Sequence, residues 1–265
     1  MPSDGRLPVP YWSGGKSFMA GGGFGHMFNM LARGDFLYNY DHDTFIGDTL
    51  RTLYPAAKTN GTSAAVTFTA GNENGYLELI SGTDNDGYAG QAMSDPVYTG
   101  DRGLLAEFVI RTPSSLATCK IEVGVTDTAA DDAGAVNVKA TPTVRATDCA
   151  VFVFDTAHDS NLSLVHAKAG TAAAVVATNF VLTASTYYYV AFRVVGDDVK
   201  AMIRGLTDTG AVGTPTAEFT LANAAAAAGL EGGNKITPWV FVQSRSASAS
   251  RTLRLYKWRT TWPAF

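Results

Sequence analysis

The sequence predicts an all-β chain folded as a two-sheet antiparallel β-sandwich. The clearest sign is the stretch 186–205, TYYYVAFRVVGDDVKAMIRG. Tyr188, Val190, Phe192 and Val194 take every second position, Gly196, Asp197 and Asp198 supply a turn, and Val199, Ala201 and Ile203 resume the alternation. Side chains of a strand alternate between its two faces, so this stretch is a β-hairpin with one buried face. The second sign is recurrence, because short runs of the same period succeed one another between clusters of Gly, Asn, Asp and Ser. The third is the scarcity of helical periodicity. A hairpin cannot bury its apolar face alone, so a second sheet has to cover the first.

Taken in order, residues 1–34 stand apart. Pro2, Pro8, Pro10, Gly14, Gly15, Gly21, Gly22, Gly23 and Gly25 prevent a regular element, yet Tyr11, Trp12, Phe18, Phe24, Met27 and Phe28 are too apolar for a solvated tail. Such an arm either folds back on its own domain or docks on another subunit. The domain proper is expected over 35–265. Its lead-in, 35–55, is irregular, with an extended FLYNY and a short helical turn around Phe45, Leu50 and Leu53 that stops before Pro55.

Strands are then expected at 65–70 and 76–80, joined as a hairpin by Gly71-Asn72-Glu73-Asn74-Gly75. Further strands are expected within 88–93, at 104–111 and at 119–125. In the last two, apolar Leu104, Ala106, Phe108, Ile110, Cys119, Ile121 and Val123 alternate with positions that include Glu107, Arg111, Lys120 and Glu122. One apolar and one partly polar face is the pattern of antiparallel sheets. Strands at 150–154, 161–167 and 180–182, the opening hairpin, and 218–221, 239–243 and 252–258 complete the series. The Ala-rich stretch 221–230 suits a turn or two of helix before Gly232 and Gly233. About a dozen short strands with one weak helix describe a sandwich.

Composition narrows the classes. Charged residues make up 17% of the chain, which is low, so Thr, Ser, Asn, Gly and Ala cover part of the surface, as in subunits that bury area against neighbours. A net charge of -4 argues against a general nucleic-acid binder. Cys119 and Cys149 are too few for a disulfide scaffold and read as buried free thiols, with a mutual disulfide as the alternative. The segment MPSDGRLPVPYW lacks the basic and apolar regions of a signal peptide, and no run approaches the ~18 apolar residues of a membrane span. Synthesis and folding in a cytosol are expected.

Particular stretches carry a resemblance. FIGDTLRTLYP (45–55), GYLELISGTDNDGYAG (75–90), GLLAEFVIRT (103–112), IEVGVTDT (121–128) and the hairpin at 186–205 together resemble the concanavalin-like jelly-roll domains of structural proteins in tailed-bacteriophage virions, head-decoration and fibre-type subunits among them. The resemblance spans 35–265 and lies in the order and spacing of strands. It implies a jelly-roll sandwich with an extended N-terminal arm. It also implies a non-enzymatic virion protein, assembled in the host cytoplasm and bound to the major capsid protein or other virion subunits. A capsid decoration or cement subunit, with a homotrimer as the expected assembly, is the leading form. A tail-fibre or head-fibre module that binds a glycan or receptor is the alternative. The same fold also serves lectins and glycoside hydrolases.

The residues offer little chemistry. The Glu-x-Asp-x-x-Glu pattern of jelly-roll glucanases is absent, and Glu73, Glu78, Glu107, Glu122, Glu218 and Glu231 are scattered singly. Glu107 and Glu122 are expected on outer strand faces in solvated or cross-strand roles. GTDNDG (82–87) has the oxygen-rich look of a calcium loop, but Gly82 and Met93 stand where an EF-hand needs acids, and an Asx turn accounts for it. Gly14-Gly15-Lys16-Ser17 ends like a P-loop, yet Pro10 replaces its first glycine. His26, His42, His158 and His166 lack metal-ligand spacing, and no serine sits in a nucleophile elbow. No cofactor, metal or catalytic residue is expected.

Two sets of residues remain as partner contacts. One is the arm, through Tyr11, Trp12, Phe18, Phe24, Met27 and Phe28. The other is the C-terminal strand: after Glu231 the chain has no acidic residue, while Lys235, Arg245, Arg251, Arg254, Lys257 and Arg259 lie there. Basic and aromatic residues together could track nucleic acid or a glycan, but alternation turns Leu253 and Leu255 inward and Arg254, Tyr256 and Trp258 outward, which suits an acidic neighbour in a subunit or intra-sandwich contact.

Overall fold

A computed structural model describes residues 38–43, 45, 54–69, 75–128, 134–176, 180–207, 212–221, 229–247 and 249–263. In chain order the strands are β1 (Tyr38–Asp43), β2 (Lys58–Asn60), β3 (Ala65–Thr69), β4 (Tyr76–Ile80), β5 (Tyr88–Ala92), β6 (Tyr98–Thr99), β7 (Leu104–Arg111), β8 (Cys119–Thr126) and β9 (Val136–Val138). They continue with β10 (Thr143–Val144), β11 (Cys149–Asp155), β12 (Asp159–Lys168), β13 (Thr171–Val176), β14 (Tyr187–Val195), β15 (Asp198–Leu206), β16 (Val212–Leu221), β17 (Lys235–Ser244) and β18 (Thr252–Pro263). Sheet I runs β16-β15-β14-β7-β18-β4-β3, with β1 on the same edge of β18 as β4. Sheet II runs β13-β12-β11-β8-β17-β5-β2, with β6 also on β17. Every pairing in both sheets is antiparallel. The two-sheet antiparallel sandwich is the architecture that the alternation dictates.

The opening hairpin forms β14 and β15, paired from Tyr187↔Leu206 to Val195↔Asp198 around Gly196 and Asp197. Tyr188, Val190, Phe192, Val194, Val199, Ala201 and Ile203 point into the inter-sheet core, where Phe192 meets Phe152 of sheet II at 5.2 Å between ring centroids. The turn does more than reverse the chain. Asp197 accepts the ammonium of Lys168 on β12 at 2.6 Å and the Gly232 N–H at 2.8 Å, while its carbonyl takes the Leu230 N–H at 3.0 Å. One turn residue thereby ties sheet I to the end of β12 in sheet II and to the loop before β17. The Lys168 ammonium and the Gly232 N–H hold the Asp197 carboxyl below its ordinary range.

The central strands of sheet II, β5, β8, β11 and β17, are buried on both faces. The sheet's outer face carries Tyr88, Cys149, Val151, Val153, Val165, Trp239 and Phe241, packed with Ala135, Val136 and Ala146 from the β9–β10 segment. Glu122 and Lys120 face the same way, as expected, but neither is solvated: both are fully buried and paired at 2.8 Å. The Glu122 carboxylate also accepts the N–H groups of Ala135 (2.8 Å), Val136 (3.1 Å) and the Trp239 indole (3.1 Å). Lys120 donates to the Val136 carbonyl. Gly134, at φ +87°, lets the backbone pass over this carboxylate, because a Cβ there would lie 2.6 Å from Glu122 Oε1. Gly90 gives the Trp239 ring its room, since a Cβ would come within 2.5 Å of it.

Cys119 and Cys149 are free buried thiols, one facing each side of sheet II. Burial pushes Cys119 up to about 12 and Cys149 well above its usual value. The stretch 180–182 is not a strand, although Phe180 and Leu182 are buried in the core as the apolar pattern requires. β2, β6, β9, β10 and β13 are strands that alternation misses, being short or, in β13, half alanine. The arm at 1–34, the helical turn expected after Phe45 and the Ala-rich stretch 222–228 lie outside the described residues.

Candidate functional site

β18 carries the site. Between β18 and β7 the register runs Arg254↔Arg111 and Leu255↔Ile110, then resumes at Lys257↔Val109, so Tyr256 is an extra residue. A β-bulge of this kind bends the strand and reverses the facing of the residues beyond it. Leu253 and Leu255 point into the core and Arg254 and Tyr256 point out. Past the bulge Trp258 turns inward. It is 1% exposed, belongs to the inter-sheet core, and donates its indole N–H to the Tyr54 hydroxyl at 2.9 Å. The expectation that Trp258 lies on the outer face with Arg254 and Tyr256 is therefore overturned, because strict alternation has no place for the bulged residue.

Tyr256 stands at the centre of an aromatic row on the outer face of sheet I. Its ring lies 5.1 Å from Tyr76 of β4 and 5.2 Å from Tyr187 of β14. Two arginines directly opposite each other on β18 and β7 flank it, Arg254 over Tyr76 at 4.8 Å and Arg111 over Tyr187 at 5.4 Å. All five residues are half-buried. Cation–π contacts of this kind contribute about 0.5–1 kcal/mol each at exposed sites, and they hold the rings in one geometry. Burial pushes the Tyr256 phenol above its usual range, and the neighbouring Tyr187 adds to the shift. The partners Tyr76, Tyr187 and Arg111 are the members of this cluster that sequence reasoning misses. The outward alternation of Tyr187 gives its face, but inter-strand register alone brings the four strands together.

Further along, Glu107 accepts the Tyr189 hydroxyl at 2.6 Å and Arg259 at 2.6 Å. Burial and the Glu107 charge push the Tyr189 phenol well above its ordinary value. Glu78 pairs with Arg254 (2.8 Å) and Glu218 with Arg204 (2.9 Å). Glu78, Glu107 and Glu218 are thus each committed to an arginine. Lys200, Arg193 and Lys257 share the face with no carboxylate ion pair among the described residues, and the Arg193 Nε is buried without an acceptor. Burial and the adjacent Arg259 push the Lys257 ammonium down. The face is basic on a chain whose net charge is -4.

Glu218 and Glu107 lie in one cross-strand row, through Met202 and Ala191, three strand spacings apart. That separation is roughly 14 Å at the usual inter-strand distance, wider than the ~5–9.5 Å between carboxylates that cleave glycosidic bonds. In the 82–87 loop, Asp84 accepts the Thr62 N–H at 2.8 Å and Asp86 pairs with Arg245 at 3.0 Å, so both carboxylates serve loop closure. Of the predicted contact residues, Arg254 and Tyr256 come together, Trp258 does not, and Tyr11, Trp12, Phe18, Phe24, Met27 and Phe28 lie outside the described residues.

No protein-family model and no curated protein matches the chain. Solved structures do. A protein of unknown function, SO2946 from Shewanella oneidensis MR-1, aligns at a TM-score of 0.56 with 15% identity, covering 85% of this chain and 87% of its own. Peanut lectin aligns at 0.53 with 11% identity (84% and 97%). A Bacteroides ovatus GH16 protein from a mixed-linkage glucan locus aligns at 0.54 with 7% identity (82% and 98%). The fold is a concanavalin-like jelly roll. At these identities the likeness is one of fold, and that fold is shared by lectins and glycoside hydrolases, so function has to be argued from the residues of the site.

Proposed function

We propose that the protein is a non-enzymatic structural subunit of a phage virion, of the decoration or cement type, held to its neighbours through the outer face of sheet I. The observation that carries this reading is the cluster of Tyr76, Tyr256 and Tyr187 with Arg254 and Arg111 over its rings. Tyr and Arg are the residues that dominate interface energetics, since they bury apolar area while keeping a polar tip. Here they are held rigid on a sheet, which lowers the entropy lost on docking. The excess of unmatched cations on the same face suits an acidic surface on the major capsid protein or another virion subunit. The arm residues Tyr11, Trp12, Phe18, Phe24, Met27 and Phe28 add apolar anchoring, and a homotrimer is the assembly that the resemblance supports.

The test is attachment. Purified full-length protein is expected to co-sediment saturably with particles that lack it, and Arg254→Ala/Tyr256→Ala is expected to abolish this while keeping the wild-type melting curve. Deleting residues 1–34 is expected to leave a folded sandwich that no longer attaches. Attachment by Arg254→Ala/Tyr256→Ala would overturn the outer-face reading, and attachment by the truncated protein would overturn the anchoring role of the arm.

A further inference from the structure

Away from the tyrosine row, the N-terminal end of β17 and the C-terminal end of β18 meet β6 around a cavity of about 400 Å³. Val97, Tyr98, Thr99, Arg102, Lys235 and Trp262 line it. Its wall is fixed from behind. Tyr98 is buried, accepts the Thr260 hydroxyl at 3.1 Å, and packs edge-on against Trp262 at 5.0 Å and 62°. Trp262 is half-buried against the core and so presents one immobilised ring to the cavity, beside Val97, which is 56% exposed. Arg102 and Lys235 stand exposed at the rim, and neither meets a carboxylate among the described residues. The volume is that of a small-ligand site, with an apolar floor and a few convergent charges.

We infer that this cavity binds an acidic saccharide, a sugar whose ring packs on Trp262 while its carboxylate lies between Arg102 and Lys235. A held aromatic ring offers a sugar an apolar platform, and the two rim cations select the charged sugar over a neutral one. Backbone N–H groups would be the mark of a phosphate cradle. Those of the adjoining turn are spent, with Asp101 N–H on the Gly232 carbonyl at 3.0 Å and Gly103 N–H on the Gly100 carbonyl at 2.8 Å. The cations that remain are side chains, which can hold a carboxylate without such a cradle. The inference rests on the cavity alone and stands or falls separately from the virion reading.

The experiment is calorimetric titration of full-length protein with tetragalacturonate, with its methyl-esterified counterpart, and with inorganic pyrophosphate. Tetragalacturonate is expected to bind, its methyl ester at least tenfold more weakly. Arg102→Ala/Lys235→Ala, which alters only exposed side chains, is expected to lose at least tenfold for the acid with an unchanged melting curve. Trp262→Phe keeps a ring in place and is expected to retain part of the affinity. No binding of tetragalacturonate, equal binding of acid and ester, or indifference to the double substitution would overturn the inference. Tighter binding of pyrophosphate would reassign the cavity to phosphate and equally overturn it. Particle attachment by Arg102→Ala/Lys235→Ala is expected to match wild type, which keeps this result apart from that of the tyrosine face.

Discussion

Tyr256 and Trp258 stand two residues apart in β18 and face opposite sides of sheet I, the first among outer-face rings and the second in the inter-sheet core. In a regular strand they would share a face. The single extra residue at the Leu255–Lys257 shift separates them. It supplies the outer face with the central ring of its tyrosine cluster and the core with one of its largest side chains.

The two positions are expected to respond differently to truncation. Trp258→Ala removes a core indole and the donor to Tyr54, and should cost about 3–5 kcal/mol. Tyr256→Ala removes half-buried ring contacts and should cost about 1 kcal/mol. Urea unfolding of both variants checks this, and equal losses would contradict the bulged register.

Glu122 is expected to act as the fastening of the β9–β10 segment. Glu122→Ala strands the fully buried Lys120 and frees the Trp239, Ala135 and Val136 N–H groups, at a cost of about 3–5 kcal/mol. The pair change Lys120→Met/Glu122→Leu should recover the part of that loss due to the stranded ammonium, while the three N–H groups stay without an acceptor. Denaturant midpoints distinguish the two, and a double variant as unstable as the single one would count against this account of the pair.

Alkali is expected to destabilise the fold. Cys119, Cys149 and Tyr189 all hold their protons more tightly when folded, above the ordinary values of 9.0 for the thiols and 10.0 for the phenol. A raised folded-state value means that the unfolded chain ionises first, so the stabilisation is whole below about pH 9 and is lost as pH rises, for Cys119 through about 12. Urea midpoints across that range should fall, and Tyr189→Phe should flatten the part of the slope above pH ~10. A midpoint independent of pH would contradict the burial of these groups.

The same burial is expected to hide both thiols from an aromatic disulfide reagent in the native protein and to expose both in denaturant. Fast labelling of either cysteine in the folded state would contradict their placement on the two packed faces of sheet II.

Much of this was legible in the chain. Period-two alternation in 104–111, 119–125 and 186–205 places β7, β8, β14 and β15 and their inward residues, because each has one face in a continuous core. What alternation cannot express is an insertion of one residue, and so Trp258 is misassigned. Nor can it show that a polar outer face is itself covered, which is why Glu122, with the pattern of a solvated residue, is sealed beneath β9–β10. The tyrosine row draws on β4, β7, β14 and β18, segments far apart in sequence. Arg254 and Tyr256 were readable as outward basic and aromatic residues, while Tyr76, Tyr187 and Arg111 join them through sheet order alone.

Co-sedimentation with particles that lack the protein tests most directly the proposed contact between the outer face of sheet I and a virion. Wild-type protein should pellet with the particles to a saturating ratio, and Arg254→Ala/Tyr256→Ala should stay in the supernatant though folded. Wild-type protein that does not pellet, or a variant that pellets equally well, would contradict it.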